Sequence, residues 1–362
     1  MKILQLINSA DTGGAQTLVE ALAARLTPAH DVHVVVLMGE DVLSQRLANA
    51  STSVRHLGMS RRSMRIDSAV ATVGRIVRDV RADVVHSHLF QADLVNALVP
   101  GKHARISTVH TTGMTGSDPL RSRAIAASVA RIAGTRFDAN VACGPAALRY
   151  MRATGYRGRT TVIRNGVPVD GDAPGERPRS HRVLCLSRWH PMKDHGTLLD
   201  AFVRVAARVA DAHLVLAGSG VDAGNAELSG MIEARGLSGR VECLGPVRDV
   251  SMLLRSSDAL VISSAYGEAL PMAGAEAIAA GLPVVTTDVG DSRDLAVDPG
   301  HVVQPSDPVA LADALVSVLG VTDDERRALS RRAWLQARDA FSIERTTSAY
   351  ADLYASVNGQ TA

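Results

Sequence analysis

Short β-branched runs alternate with amphipathic segments from one end of the chain to the other, the pattern of repeated βαβ units feeding parallel sheets. In the first half this pattern predicts strands over 2–7, 33–38, 54–57, 83–86, 105–110, 139–142 and 161–163, with helices between them such as 15–25 and 68–80. A second series of strands is expected over 182–187, 213–217, 241–244, 259–263, 283–287 and 301–303. Between the two series lies PVDGDAPGERPRS (168–180), rich in Pro, Gly and charge and without periodicity, which reads as a hinge-like linker. After the last strand, FSIERTTSAYADLYASV (341–357) opens with a Ser cap and sets Ile343, Thr347, Tyr350, Leu353 and Val357 along one stripe. A helix so apolar must bury that stripe, and it is expected to cross back onto the first domain. The fold class is therefore α/β with two Rossmann-like domains, 1–170 completed by a helix over 342–362, and 180–341. Two such domains facing across a cleft would bring the C-terminal ends of both sheets, where doubly wound folds bind ligands, to one place.

Composition agrees with two domains. The 362 residues suit two units of about 150–200 each, and no apolar run reaches the ~18 residues of a membrane span. The start, MKILQLINSADTGGAQ, reads as a first strand, too short for a signal peptide, and implies a cytoplasmic protein. Cys143, Cys185 and Cys243 are far apart, each within an apolar run, as free thiols of a reducing compartment would be. The net charge is only +2, but residues 1–170 hold 21 Lys and Arg against 12 Asp and Glu, so the excess is on the N-terminal half. That half can face something anionic, while the whole lacks the charge of a dedicated nucleic-acid binder.

Three stretches carry candidate chemistry. Gly13 and Gly14 follow the first strand and open the first helix, so their backbone N–H groups can approach an anion with no Cβ in the way. In LCLSRWHPMKDHGTLLDAF (184–202), Arg188 and Lys193 emerge at a strand's C-terminal end, placed to clamp a diphosphate without a metal. GEALPMAGAEAIAAGLPVV (267–285) sets Glu268 in a loop and Glu276 inside the helix that follows, about 7 Å further on along the helix axis. Carboxylates accept paired hydrogen bonds from vicinal hydroxyls, and a helix N-terminus favours phosphate. Taken alone, each stretch also fits a plainer account: a β–α turn, solvated surface cations, capping or salt-bridged glutamates.

The ordered set TGGAQ (12–16), DVVHSHLFQADL (83–94), STVHTTG (107–113), VIRNGVP (162–168), SRWHPMKDH (187–195), LAGSG (216–220), VECLG (241–245) and SSAYGEALPMAGAEAIAAGLPVVTTDVGDS (263–292) resembles the family 4 (group 1) glycosyltransferases of GT-B fold over nearly the full length. The resemblance implies retaining transfer of a sugar from a UDP- or GDP-linked donor, with no further cofactor and no metal. It implies Glu276 on the ribose hydroxyls, Glu268 near the donor sugar, and Arg188 and Lys193 on the diphosphate, with the Gly13–Gly14 loop closing over it. Backbone amides of Ala269, Leu270, Pro271 and Met272 would line the sugar and phosphate. His110 would contact the reacting sugar, and His88 would line the acceptor side. Ala269 stands where the family usually has Gly, and Asp194 where Gly or Asn is frequent, so no backbone contact is carried over to Asp194.

Other features point elsewhere only weakly. GSGVDAG (218–224) is expected to be a strand-to-loop turn, because the acid a dinucleotide site needs is missing. His86 and His88, two apart on a strand end, lack a third metal ligand, and His86 reads as a buried or surface histidine. Arg121, Arg123, Arg131 and Arg136 flank Ile125, Val129 and Ile132, and Arg61, Arg62 and Arg65 form a second cluster. Such faces could rest on an anionic membrane, peripheral on its inner side, and reach a carbohydrate or lipid-linked acceptor; a solvated helix face is the plainer account. A nucleotide-sugar epimerase or hydrolase of the same architecture and a two-lobed small-molecule binding protein are the alternative functions.

Overall fold

The computed structural model describes residues 1–10, 13–39, 44–60, 65–113, 120–169, 171–175 and 177–359. The chain divides into two compact units, Met1–Gly166 with Ile343–Ala362, and Val167–Ser342.

The first unit is built on strands β1 (Lys2–Ser9), β2 (Asp31–Met38), β3 (Ser53–Met59), β4 (Val84–His88), β5 (Ala104–Val109), β6 (Ala139–Ala142) and β7 (Thr160–Val162). Helices α1 (Gly14–Leu26), α2 (Ser44–Ala50), α3 (Ile66–Val80), α4 (Phe90–Leu98), α5 (Leu120–Arg136) and α6 (Pro145–Ala153) alternate with them. The strand order is β3-β2-β1-β4-β5-β6-β7, every pair parallel. Parallel strands covered on both faces are apolar on both, and β1 shows it: Ile3 and Ile7 join one core, Leu4 and Leu6 the other. Polar Gln5 stands between Ile3 and Ile7 and is fully buried. The strand order reverses between β1 and β4, the switch point where a doubly wound sheet opens a crevice.

In the second unit, β8 (Arg182–Leu186), β9 (His213–Ala217), β10 (Val241–Cys243), β11 (Ala259–Ile262), β12 (Val284–Thr287) and β13 (Val302–Val303) alternate with α7 (His195–Arg208), α8 (Ala226–Glu233), α9 (Ser251–Arg255), α10 (Met272–Ala279), α11 (Pro308–Leu319) and α12 (Asp323–Phe341). Its parallel sheet runs β10-β9-β8-β11-β12-β13, with the switch point between β8 and β11. The small residues of α10 are a packing requirement: a Cβ on Gly274 would lie 2.6 Å from a methyl of Leu295 and 2.9 Å from one of Ile262.

All thirteen expected strands are present, with ends shifted by at most two residues. The segment read as a linker belongs to the second unit. Arg177 donates to the carbonyls of Leu254 (3.2 Å) and Ala280, and Arg179 donates to that of Leu319 (2.9 Å). Val167 is bridged to Ser342, so the strands that enter and leave this unit run side by side. The last helix, α13 (Ile343–Asn358), returns to the first unit and buries Ile343, Thr346, Tyr350, Leu353, Tyr354 and Val357. Its inner stripe differs from the predicted one. Thr346 is the more deeply buried of the two threonines and donates to the Arg164 carbonyl at 2.8 Å, while Thr347 is half-buried. Tyr354 widens the stripe with a second buried ring.

Candidate functional site

At the switch point of the second sheet, the loop after β8 is held by backbone bonds to its neighbour: Ser187 N–H to Ala217 O at 2.9 Å and Trp189 N–H to Ser219 O at 2.8 Å. Gly218 makes this approach feasible, since a Cβ there would sit 2.1 Å from the Ser187 carbonyl oxygen. This is the strand-to-loop turn expected for GSGVDAG. The loop then makes a 3₁₀ turn over Pro191–Lys193 and enters α7 through Asp194, whose φ of +47° is left-handed. That conformation suits Gly or Asn. Asp194 is retained here because its carboxylate caps α7, accepting from Thr197 N–H at 3.1 Å and Thr197 Oγ1 at 2.7 Å.

Lys193 is thereby aimed at the end of β11, where its ammonium pairs with Glu268 Oε1. Ser264 Oγ donates to the same oxygen at 2.6 Å, and Ser263 Oγ donates to the Lys193 carbonyl at 2.7 Å. The pair is largely buried, with side-chain exposures of 18% and 9%. Arg188 is its opposite: the guanidinium is exposed and no ion pair or side-chain hydrogen bond engages it among the described residues. Glu276 lies on the partly exposed face of α10, while Ala269, Leu270 and Pro271 are buried and Met272 opens the helix. The segment 268–269 is clasped by Gly290, with φ +66°, where a Cβ would come 2.0 Å from the Glu268 carbonyl oxygen and 2.8 Å from that of Ala269. Neither oxygen can retreat without moving the glutamate. Gly290→Ala should therefore displace Glu268 and destabilise the protein by at least the ~1–2 kcal/mol of a left-handed alanine, read as a lowered Tm. An unchanged Tm would mean the clasp is not rigid.

In the first unit, His88 ends β4 and His110 follows β5. Their rings stack at 5.3 Å, with His88 Nδ1 and His110 Nε2 3.0 Å apart. Burial pushes the His110 imidazole down to about 4 and holds that of His88 well below its usual value, so both are neutral at pH 7. His86 is fully buried, as one of its two readings expected. Its ring nitrogens engage Tyr354 OH and Thr108 Oγ1, each at 2.7 Å. Among the described residues no group of three His, Cys, Asp or Glu is placed to hold a metal ion. Gly13 is the N-cap of α1 with extended backbone, and Gly14 begins the helix, whose first turn holds no acidic residue.

Both halves of this chain match models of sugar-transferring enzymes. Residues 12–170 match that described as Glycosyltransferase Family 4, and residues 180–320 that described as Glycosyl transferases group 1. The chain belongs to the family 4, group 1 glycosyltransferases. The chain is 37% identical over 172 residues to phosphatidyl-myo-inositol mannosyltransferase of Mycobacterium tuberculosis H37Rv, covering 43% of this chain and 44% of that one. It is 29% identical over 219 residues to D-inositol 3-phosphate glycosyltransferase of M. tuberculosis H37Ra, covering 56% of this chain and 45% of the relative. The matches thus span less than half the length of these curated relatives. Anabaena HepE, solved in complex with UDP and glucose, shares the two-domain α/β fold, with a TM-score of 0.83 at 20% identity over 98% of this chain and all of that one.

The basic faces of the chain differ from the membrane-facing reading of the sequence. Ile125 and Val129 are buried in the first unit's core, with Ile132 partly so. Arg121, Arg123, Arg131 and Arg136 therefore form a charged surface without the apolar stripe an interfacial helix inserts. Arg65 pairs with Asp67 at 2.7 Å, and Arg61 and Arg62 lie outside the described residues. No described helix is long and apolar enough to cross a membrane.

Sequence reasoning did not single out Gln5, Thr108, Asn165, Ser264, Gly290 or the hydroxyls of Tyr350 and Tyr354. A signal for the first was available. Gln5, His86, His88 and Thr108 are polar positions paired across neighbouring parallel strands, Gln5 with His86 and His88 with Thr108, so they share one sheet face.

Proposed function

We propose that this chain is a retaining glycosyltransferase that moves a hexosyl group from a UDP- or GDP-linked donor to a hydroxyl of a glycolipid or polysaccharide precursor. One observation carries the reading: Arg188, with no ion pair among the described residues, the Lys193–Glu268 pair and the start of α10 all follow β8 and β11, the two strands that flank the switch point of one sheet. Departure of the nucleoside diphosphate develops negative charge. Two cations and the positive end of α10 stabilise that charge more than the bound donor, without a metal or other cofactor. Glu276, further along α10, is assigned to the ribose hydroxyls and Glu268 to the sugar. In the first unit, His110 is assigned to the transferred sugar, His88 to the acceptor side and the Gly13–Gly14 turn to the phosphates. Neutral His110 offers the sugar a hydrogen bond and not a charge. That HepE was solved with UDP and glucose supports a uridine donor.

Thermal shift with UDP, GDP and their hexose conjugates tests the donor site. A nucleotide at 100 times its Kd adds about 2.7 kcal/mol of apparent stability. Glu276→Ala should abolish most of the shift from the better nucleotide; an unchanged shift would remove Glu276 from the ribose. Sugar release at the same rate with and without acceptor would favour a hydrolase.

A further inference from the structure

A buried polar chain lies behind His110. From Gln5, one arm runs to Tyr354 OH (3.1 Å), then His86 (2.7 Å), Thr108 Oγ1 (2.7 Å) and Tyr350 OH (3.0 Å). The other arm runs from Gln5 Oε1 to His88 Nε2 (2.8 Å), then from His88 Nδ1 to His110 Nε2 (3.0 Å). His110 Nδ1 is left 3.5 Å from Asn165 Nδ2. The members come from β1, β4, the end of β5 and α13, and Gln5, His86, His88, Thr108, Tyr350 and Tyr354 are fully buried.

The proton positions follow from the amide of Gln5, whose nitrogen only donates and whose oxygen only accepts. Tyr354 OH accepts from Gln5 Nε2, so its own proton goes to His86 Nδ1. His86 then carries its proton on Nε2 and gives it to Thr108, whose hydroxyl donates to Tyr350. On the other arm, His88 must carry its proton on Nε2 to serve Gln5 Oε1, and its Nδ1 is a lone pair. The proton between the two histidines therefore belongs to His110 Nε2. Every link donates in the same sense, from Asn165 through to Tyr350, and no member competes with another.

We infer that Gln5 and Tyr354, acting through His88, are positioning residues that lock His110 as its Nε2–H tautomer, so that its Nδ1 lone pair, approached by Asn165 Nδ2 at 3.5 Å, accepts from a substrate hydroxyl that takes the amide's place. The neutral rings this needs agree with the burial that holds His86 at about 3 and His110 at about 4. A donor locked on Nε2 lets the imidazole discriminate: it accepts from a hydroxyl and cannot turn to donate to an ether or a carbonyl oxygen. The C-terminal helix, remote in sequence, thereby sets the chemistry of a strand-end histidine. That this governs sugar transfer rests on the assignment of His110 to the sugar; the tautomer itself does not.

The test is long-range proton–nitrogen NMR on the full chain labelled with 15N-histidine, each ring assigned by single histidine substitution. His86, His88 and His110 should all be Nε2–H; an Nδ1–H signal for His88 or His110 would overturn the proposal. Gln5→Met, similar in volume, should leave His86 as Nε2–H, since Tyr354 still donates to it, and this signal reports an intact fold. His88 and His110 should then populate both tautomers. A His110 that remains wholly Nε2–H in this variant would show that something else holds it, and the proposal falls. Where Gln5→Met does not fold, Tyr354→Phe serves: it frees the Gln5 amide, and the same mixing at His110 is expected, its absence being fatal. UDP affinity, read by thermal shift, should not change in Gln5→Met, whereas acceptor-dependent turnover should fall. Mixed tautomers with undiminished turnover would instead remove His110 from the sugar and leave the locking intact.

Discussion

Arg188→Ala should lower turnover of the nucleotide sugar by about 100- to 1000-fold, the typical effect of removing one preorganised group that meets developing charge, and leave Tm where it was. The two halves of this expectation have one cause. The Arg188 guanidinium is exposed and engages no ion pair among the described residues, so the folded protein loses no intramolecular partner when it is cut away. Surface substitutions of that kind stay within about 0.5 kcal/mol. The loss belongs to the transition state alone, so kcat should fall with kcat/KM, while a variant that only weakens donor binding would raise KM. A matched drop in Tm would show that Arg188 supports the loop, and an unchanged rate would remove it from the diphosphate.

Lys193→Ala should cost both activity and stability. Its ammonium pairs with Glu268 in a largely buried environment, where Ser264 Oγ also donates to the carboxylate. Removing the cation takes the ion-pair partner from a largely buried carboxylate, a loss of about 3 kcal/mol by comparison with broken buried pairs. For a unit of this size that lowers Tm by roughly 6–12 °C. The double variant Lys193→Ala/Glu268→Ala removes the buried negative charge as well, and should regain much of the Tm while remaining as inactive as the single. Calorimetry on the single and double variants separates the terms. Equal Tm losses in both would mean that packing of the lysine stem, not the charge pair, carries the stability.

The contrast between these neighbouring cations was not readable from SRWHPMKDH, where both stand in one loop. It depends on the turn at Pro191–Lys193, which carries one side chain inward to Glu268 and leaves the other in solvent. The same holds for Gly290, an ordinary glycine in the sequence until the Glu268 carbonyl is found against it. The basic helix is the reverse case, where the sequence left a membrane-facing stripe and a solvated face both open. Arginines around Ile125 and Val129 suggested a membrane-facing stripe, but those two residues are taken up by the first unit's own core. Helical spacing establishes that residues share a face, and only packing decides which face is inward.

What the sequence determined by itself was the order of the elements and the ends of strands at which chemistry could sit. Period-two runs, β–α turns and helix caps are local, and local signals survive without knowledge of neighbours. The tertiary structure decided which side chains meet. Lys193 and Glu268 are 75 residues apart, and Gln5 and Tyr354 are 349 apart. Contacts at such separations depend on strand order, on the parallel register of β1 with β4, and on the return of α13 to the first sheet. No local pattern encodes these; they are settled by which arrangement buries the apolar stripes while giving most buried donors an acceptor.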